Sequence, residues 1–287
     1  MSKADGFALE PLSAADGPAL AALSKSIGWT HLKEDWQGIL RVGKVLGFKS
    51  PAGNLAASAA FFPYGRTLTS IGMVITKPSC QRRGLARALM LRIMAFPPAP
   101  RPPFALVATT QGEPLYRRLG FRTVGHVQRL LSAKPSAVRS GTRTKAIRQK
   151  PLTDSDFNAV CTRDAEATGA DRRDLLKTLR SRSNPIVLRG RGQIVAFAFH
   201  ARRHDRQTIG PVVAPDPNTA AALILGLRSR LMGPLQLDVP MEQGHLLEAL
   251  KAAGFQSGGT APSMILGADS LPGRREHLFA IASRAFG

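Results

Sequence analysis

The 287-residue chain has little cysteine and no long apolar run. Cys80 and Cys161 are its only cysteines, too few for a disulfide framework or a four-ligand zinc site. No stretch approaches the ~18 consecutive apolar residues of a membrane-spanning helix, so we expect no such helix. The N-terminal residues carry Asp5 and Glu10 and lack a continuous apolar core. We therefore expect no signal peptide and a soluble, cytoplasmic protein.

Acidic residues are scarce in the middle of the chain. Residues 36–153 contain one acid, Glu113, against twenty Lys and Arg, which gives +19 of the net charge of +21. A concentrated excess of this kind indicates a polyanionic partner, either nucleic acid or a phosphorylated small molecule, with a solvated basic surface as the alternative. Phe121 is the only aromatic residue between Arg117 and Lys150. Base stacking, and with it nucleic-acid binding, therefore has little support.

The chain is long enough for two domains and apolar enough to give each a core. Its length is about twice that of a typical domain, and 44% of its residues are hydrophobic. Alternating strand and helix patterns predict an α/β or α+β layered fold. The order of elements repeats along the chain. Residues 53–57 correspond to 192–196, residues 71–75 to 209–213, and residues 115–121 to 250–255. We therefore expect two tandem copies of one αβ unit.

A segment poor in large apolar residues separates the two copies. Residues 132–146 consist mainly of Ser, Lys, Arg, Gly and Pro, which predicts a linker. The expected boundaries are 1–134 for the first domain, 135–146 for a basic linker and 147–287 for the second domain. At the end of the chain, residues 274–286 predict an additional amphipathic helix.

The sequence from Ile71 to Met94 is typical of a phosphate-binding loop. A β-branched strand is followed by Gln-Arg-Arg-Gly-Leu-Ala at residues 81–86 and then by a helix with one apolar face. A helix start offers unpaired N–H groups and the positive end of the helix dipole. Gly84 has no Cβ, so the backbone can approach an anion closely. For this segment alone, a basic helix N-terminus on the surface is the alternative.

A second motif favours the phosphate-binding interpretation. Residues 108–121 read Ala-Thr-Thr-Gln-Gly-Glu-Pro-Leu-Tyr-Arg-Arg-Leu-Gly-Phe. Together with the Gln-x-x-Gly-x-Ala loop, this strand and helix resemble the acetyl-CoA half of the GCN5-related N-acetyltransferase (GNAT) superfamily, over roughly residues 5–131. The second half is similar to the C-terminal domain of tandem members related to holothin acyltransferases, through residues 210–216, 237–240 and 279–287. The resemblance implies two GNAT-like domains, each a mixed central β-sheet flanked by helices.

The resemblance also implies an activity, a cosubstrate and the residues that bind it. The expected reaction is direct transfer of an acetyl group from acetyl-CoA to a primary amine, without a metal. Tyr116 would protonate the departing CoA thiolate. In the second domain, Asp216 and Pro217 stand where the loop needs basic residues and glycine, so we expect one acetyl-CoA site. In the first domain, the backbone of Met73, Val74 and Ile75 would hold the pantetheine arm, and the pyrophosphate would lie against Gln81, Arg82, Arg83, Gly84, Leu85, Ala86 and Arg87.

The general base is harder to identify, because the first domain has so few acids. Glu113 lies one turn before Tyr116, but a first-turn glutamate also matches the helix dipole. Asp35 is a second candidate, with a helix cap as the alternative. Acids of the second domain, chiefly Asp238 and also Asp164 or Asp171, are a third possibility, and a water chain is a fourth.

The acceptor pocket is expected to be aromatic. Trp29 and Trp36 bracket His31, and these three residues with Asp238 are the candidate acceptor-binding residues; hydrophobic packing is the alternative for the tryptophans. We expect the acceptor to be a small-molecule or peptide amine, and we expect the protein to be a monomer or a homodimer. Two other functions stay open, a non-catalytic acyl-CoA sensor and a basic nucleic-acid-binding protein on the same scaffold.

Overall fold

The computed structural model describes residues 3–4, 6–96, 101–133, 149–202 and 206–286. Their contacts form two compact units, one running up to Leu106 and including Phe286, the other running from Val107 to Ala285. The predicted linker at 135–146 lies outside the described residues. Within those residues, no helix is both long and apolar enough to cross a membrane.

The first unit is a mixed sheet with its strands in chain order. Neighbouring strands are antiparallel except for the last pair, which is parallel. Strand β4 is buried at nearly every position, so both of its faces are covered. The strands are β1 (Lys3–Ala4), β2 (Phe7–Leu12), β3 (Lys44–Lys49), β4 (Leu55–Tyr64), β5 (Leu68–Thr76) and β6 (Phe104–Val107).

Helices α1 (Gly17–Lys25), α2 (Lys33–Val42) and α3 (Leu85–Met94) complete this unit. In α3, the helical spacing of Leu85, Leu89 and Ile93 predicts one apolar face, and these side chains are at most 1% exposed. Helices α1 and α3 both pack against β4 and β5. The loop between β5 and α3 is thereby held at the carboxyl end of a central strand.

The strands of the second unit lie in the order β13-β7-β12-β11-β10-β9-β8, with β14 paired to β11. Among these described strands, only β11 and β12 pair in parallel. Its strands are β7 (Arg122–Ser132), β8 (Lys150–Pro151), β9 (Ile186–Gly190), β10 (Gln193–Arg202), β11 (Gln207–Val213), β12 (Leu235–Pro240), β13 (Gln256–Leu266) and β14 (Leu278–Ala280). Its helices are α4 (Glu113–Arg118), α5 (Phe157–Thr168), α6 (Arg173–Arg180), α7 (Pro217–Arg228) and α8 (Gly244–Ala252).

Strand β7 comes from the first half of the sequence but lies between two strands of the second half. It pairs antiparallel with β12 from Val127 to Ser132 and with β13 along most of its length. The compact units therefore divide at Leu106, earlier than the expected domain boundary at residue 134. The sequence-based domain limits stay a prediction.

The prediction of an amphipathic helix at residues 274–286 is wrong. The segment forms a single 3-10 turn, Arg275–His277, followed by strand β14. Leu278, Phe279, Ala280 and Ile281 are all at most 2% exposed. Four consecutive buried residues fit a strand covered on both faces and do not fit an amphipathic helix, which exposes one face.

Candidate functional site

Strand β5 contains a bulge at Met73 and Val74. These two residues face a single residue of β4, Ala59, between regular pairs on either side. Met73 has a positive φ of 52°, and its carbonyl accepts a hydrogen bond of 3.2 Å from the buried Ser58 hydroxyl. A bulge leaves residues out of the regular ladder and bends the strand.

Beyond this bulge, β5 has an open edge. It pairs with β6 only over Thr69–Ile71, and in the described part of the chain no other strand pairs with it on that side. The backbone from Met73 to Ile75 is therefore the free edge of a central strand. Such an edge forms main-chain hydrogen bonds with an extended ligand.

The loop after β5 leads directly into α3. The Gln81 side-chain amide donates to the Thr76 carbonyl at 3.4 Å, which ties the loop to the end of the strand. Gly84 has a φ of +76°, in the left-handed region that favours glycine. The next three residues, Leu85 to Arg87, begin the helix, so no preceding helical turn supplies acceptors for their N–H groups.

The loop is positively charged and open above its glycine. Arg82, Arg83 and Arg87 are exposed, and the Arg83 guanidinium lies 5.8 Å from the ring centre of Phe7. A Cβ built on Gly84 would meet no protein atom within 4 Å. The residues of the loop thus suit an anion, which would occupy the space over Gly84 and meet backbone N–H groups and arginine side chains.

Tyr116 lies in α4 of the second unit and is 7% exposed. Its ring is tilted against that of Phe121, with 6.1 Å between their centres. Gly112 leaves room for it, since a Cβ there would lie 3.2 Å from the phenol oxygen. Burial raises the pKa of the Tyr116 phenol well above its usual value, so the group keeps its proton at neutral pH. A phenol that stays protonated can donate that proton.

Two of the candidates for the base, Glu113 and Asp35, already have partners. The Glu113 carboxylate accepts a hydrogen bond of 2.9 Å from Arg117 Nε, and a terminal nitrogen of the same guanidinium forms an ion pair with it at 2.7 Å. The Asp35 carboxylate accepts the Leu32 N–H at 3.0 Å and caps the start of α2. The Asp35 contact is the helix cap expected as its alternative, the Glu113 contact is an ion pair within α4, and a role as base stays a prediction for each.

Trp29 and His31 lie together on the first unit. Their ring centres are 5.6 Å apart and their planes are inclined by 51°, and both side chains are partly exposed. An aromatic pair that retains accessible surface can contact an acceptor. Their assignment to the acceptor pocket stays a prediction.

Trp36 is buried between two helices. It is 0% exposed, and its indole N–H donates to the Ser24 hydroxyl at 3.0 Å. The side chain joins α2 to α1. These contacts are the hydrophobic packing expected as the alternative for Trp36, with its polar atom satisfied, and its assignment to the acceptor pocket stays a prediction.

The Asp238 carboxylate is buried and bound by two arginine side chains. It is 1% exposed, and Arg129 binds both oxygens at 3.0 Å. Arg284 donates to Oδ1 at 2.9 Å. The assignment of Asp238 as a base or as an acceptor-binding residue stays a prediction. Asp164 is in a similar position, since it is 0% exposed and bound by Arg172 through two hydrogen bonds.

In the described part of the second unit, residues 214–216 lead from β11 into α7 and contain neither a basic residue nor a glycine. At the position that follows β11, Asp216 caps α7: its carboxylate accepts the Thr219 N–H at 2.9 Å and the Thr219 hydroxyl at 2.6 Å. The positive end of this helix is thus matched by the chain's own carboxylate. An added pyrophosphate would be repelled by Asp216.

Sequence reasoning missed the role of Ser58. The signal was present, because Ser58 is the only hydroxyl-bearing residue in the Leu55–Phe62 run. Its hydrogen bond to Met73 supports the bulge that opens the edge of β5. A buried hydroxyl that is 0% exposed needs a partner, but the sequence does not show which carbonyl supplies it.

Family models match both halves of the chain. Two family models, each described as an acetyltransferase (GNAT) domain, match residues 53–130 and 160–280. An uncharacterized N-acetyltransferase of Bacillus subtilis (strain 168), YitH, is 29% identical over 273 residues, which are 93% of this chain and 94% of that protein.

Solved structures show the same fold. A putative acetyltransferase from Pyrococcus horikoshii has a TM-score of 0.83 at 18% identity and covers 100% of this chain and 98% of its own. A tandem GNAT protein from the clavulanic acid biosynthesis pathway has a TM-score of 0.69 at 12% identity, with 91% and 98% covered. The chain therefore belongs to the GNAT superfamily and carries two of its domains in tandem.

Proposed function

We propose that the protein is an acetyl-CoA-dependent N-acyltransferase that acetylates a primary amine of a small-molecule or peptide acceptor. The observation that carries the proposal is one continuous segment of the first unit, residues 72–87. It joins an open strand edge at Met73–Ile75 to a basic loop and the unpaired start of α3. An extended arm that ends in a pyrophosphate needs these two features in this order.

The proposed chemistry requires a neutral amine, a polarised thioester carbonyl and a proton for the leaving thiolate. The amine nitrogen attacks the carbonyl carbon, and the carbon–sulfur bond breaks as the nitrogen–carbon bond forms. We assign the proton that the thiolate receives to Tyr116, whose phenol is protonated at neutral pH.

The excess proton of the amine must go to a base or to water. Because Arg117 holds Glu113 and the Leu32 N–H holds Asp35, we assign this proton to a water chain.

Gly84→Glu tests the cosubstrate site. The new carboxylate would stand in the open space above the loop and repel a pyrophosphate, so addition of acetyl-CoA should no longer raise the melting temperature. Loss of more than about 10-fold in affinity is expected from replacing an attractive site by a like charge. Thermal melts with and without acetyl-CoA measure the effect.

Gly65→Glu is the matched control for this experiment. Gly65 also has a positive φ and open space around it, but it lies in the turn before β5, at the opposite end of the strand from the loop. The backbone strain and the added charge are therefore the same. If acetyl-CoA stabilises both variants equally, the assignment of the loop is wrong.

A further inference from the structure

The second unit contains a counterpart of the bulged strand. In β11, Gly210 and Pro211 face one residue of β10, Phe199, much as two residues of β5 face one of β4. Strand β11 pairs with the parallel strand β12 only up to Ile209. The two strands then separate, as β5 and β6 do, and leave a cleft.

Strand β14 occupies this cleft. It pairs antiparallel with the end of β11 at Val212 and Val213. On its other side, the Ile281 N–H donates to the Asp238 carbonyl of β12 at 3.0 Å. A segment with backbone hydrogen bonds to both separated strands fills the path between them.

The side chains of this segment complete the cores on both faces of the sheet. Leu278 and Ile281 pack in the cluster that includes residues of α5 and α6. Phe279 and Ala280 pack in the cluster that includes residues of α7 and α8. The segment is thus integrated into the unit on both sides.

Two polar residues outside the strand hold the segment in place. Arg284 donates to the buried Asp238 carboxylate at 2.9 Å. The side-chain amide of Gln243, which is 8% exposed, lies 3.1 Å from the Glu276 carbonyl and 3.2 Å from the Leu278 carbonyl. These contacts anchor both ends of the strand.

Gly210 allows the segment to pass close to the bulge. A Cβ at this position would lie within van der Waals overlap of the Ile281 carbonyl oxygen, and the φ of Gly210 is +148°. Any other residue would therefore clash with the C-terminal segment and strain its own backbone.

We propose that the C-terminal segment, residues 277–284, is the resident occupant of the second unit's cofactor cleft, so that this unit takes no acyl-CoA. The inference rests on the proposed function in one respect, that the corresponding cleft of the first unit takes the pantetheine arm. Asp216, which caps α7 where the phosphate loop would be, also disfavours acyl-CoA binding, because its carboxylate would repel the pyrophosphate. The GNAT fold of the second unit then binds a piece of its own chain in place of a cosubstrate.

Hydrogen exchange and calorimetry on the unmodified chain together test whether the segment occupies the cleft and whether the second unit takes acyl-CoA. Peptides that cover residues 278–281 should be strongly protected, with protection unchanged by saturating acetyl-CoA, and titration should find one acetyl-CoA per chain. Unprotected amides, or two sites per chain with faster exchange at 278–281, would overturn the inference. If no acetyl-CoA binds while the segment is protected, the proposed function fails but the segment's occupancy stands.

Gly210→Ala provides a second test, with Gly233→Ala as the control. Gly233 also has a positive φ, but a Cβ there would meet nothing within 4 Å. We expect exchange at residues 278–281 to accelerate about 10-fold or more in Gly210→Ala and to stay at the parent rate in Gly233→Ala. Equal protection in the two variants would contradict the close approach of the segment to β11.

Discussion

At the scale of single residues, two glycines distinguish the two halves of the chain. Gly84 sits at a positive φ with open space around it, whereas Gly210 sits under the carbonyl of Ile281. The first leaves room for a ligand and the second for the protein's own backbone. Both glycines are visible in the sequence, but only the surrounding atoms show what each one makes room for.

Tyr116 carries the prediction that separates an enzyme from a sensor. Tyr116→Phe keeps the ring packed on Phe121 and removes only the hydroxyl, so acetyl-CoA should stabilise the variant as it does the parent. Turnover should fall about 10²-fold or more, the usual contribution of a positioned acid. Thiol release with an accepted amine measures it.

Tyr64→Phe is the control, because Tyr64 is the chain's other tyrosine and is equally buried, at 7% exposed. It lies at the end of β4, away from α4 in the sequence, and should retain full turnover. If Tyr116→Phe turns over as fast as Tyr64→Phe, the phenol of Tyr116 is not the proton donor.

At the scale of elements, the regular segments could be predicted from sequence and the C-terminal segment could not. Strand β4, Leu55–Tyr64, has the bounds that its apolar run indicates, and α3 follows the spacing of Leu85, Leu89 and Ile93. The strand at 278–280 was missed, because the apolar residues of 274–286 also fit the spacing of an amphipathic helix. Its conformation is imposed by the strands on either side.

The prediction at the scale of elements concerns Trp36, whose side chain joins α2 to α1. Trp36→Phe removes the indole N–H and leaves the buried Ser24 hydroxyl without this partner. We expect the free energy of unfolding to fall by about 1–3 kcal/mol, the cost of an unsatisfied buried polar group. Urea unfolding followed by circular dichroism measures it.

Trp29→Phe is the comparison, because Trp29 keeps part of its surface exposed. Its effect on unfolding should stay within about 0.5 kcal/mol. An equal loss in both variants would mean that the indole hydrogen bond of Trp36 does not stabilise the helix pair.

At the scale of the whole molecule, the sheet of the second unit joins distant parts of the sequence. Asp238 on β12 binds Arg129 on β7 and Arg284 after β14. One buried carboxylate thus connects the first half of the chain, the second half and the C-terminal segment. The domain limits predicted from sequence assign β7 to the first domain, whereas its strand partners β12 and β13 come from the second half of the chain.

Asp238→Asn should destabilise the protein by about 3 kcal/mol, since it leaves two partly buried guanidinium groups without their counter-charge. Arg129 and Arg284 are each about a quarter exposed, so solvent should reduce the loss somewhat. Urea unfolding midpoints measure it.

The control for this prediction is Asp154→Asn. Asp154 pairs with Arg180 at 2.6 Å, but its side chain is 97% exposed. A surface pair of this kind is worth at most about 1 kcal/mol. If the two variants unfold at the same urea concentration, the buried cluster does not hold the unit together.

The sequence by itself determined the family, the duplicated αβ pattern and the basic loop with Gly84. These follow from local spacing, from residue type and from backbone preferences of glycine, which need no tertiary contact. Tertiary structure decided that Trp36 and Asp238 are buried supports, that β7 pairs with β12 and β13, and that the C-terminal segment is a strand. Burial and long-range pairing depend on which segments meet in space, and a residue's type does not specify its partner.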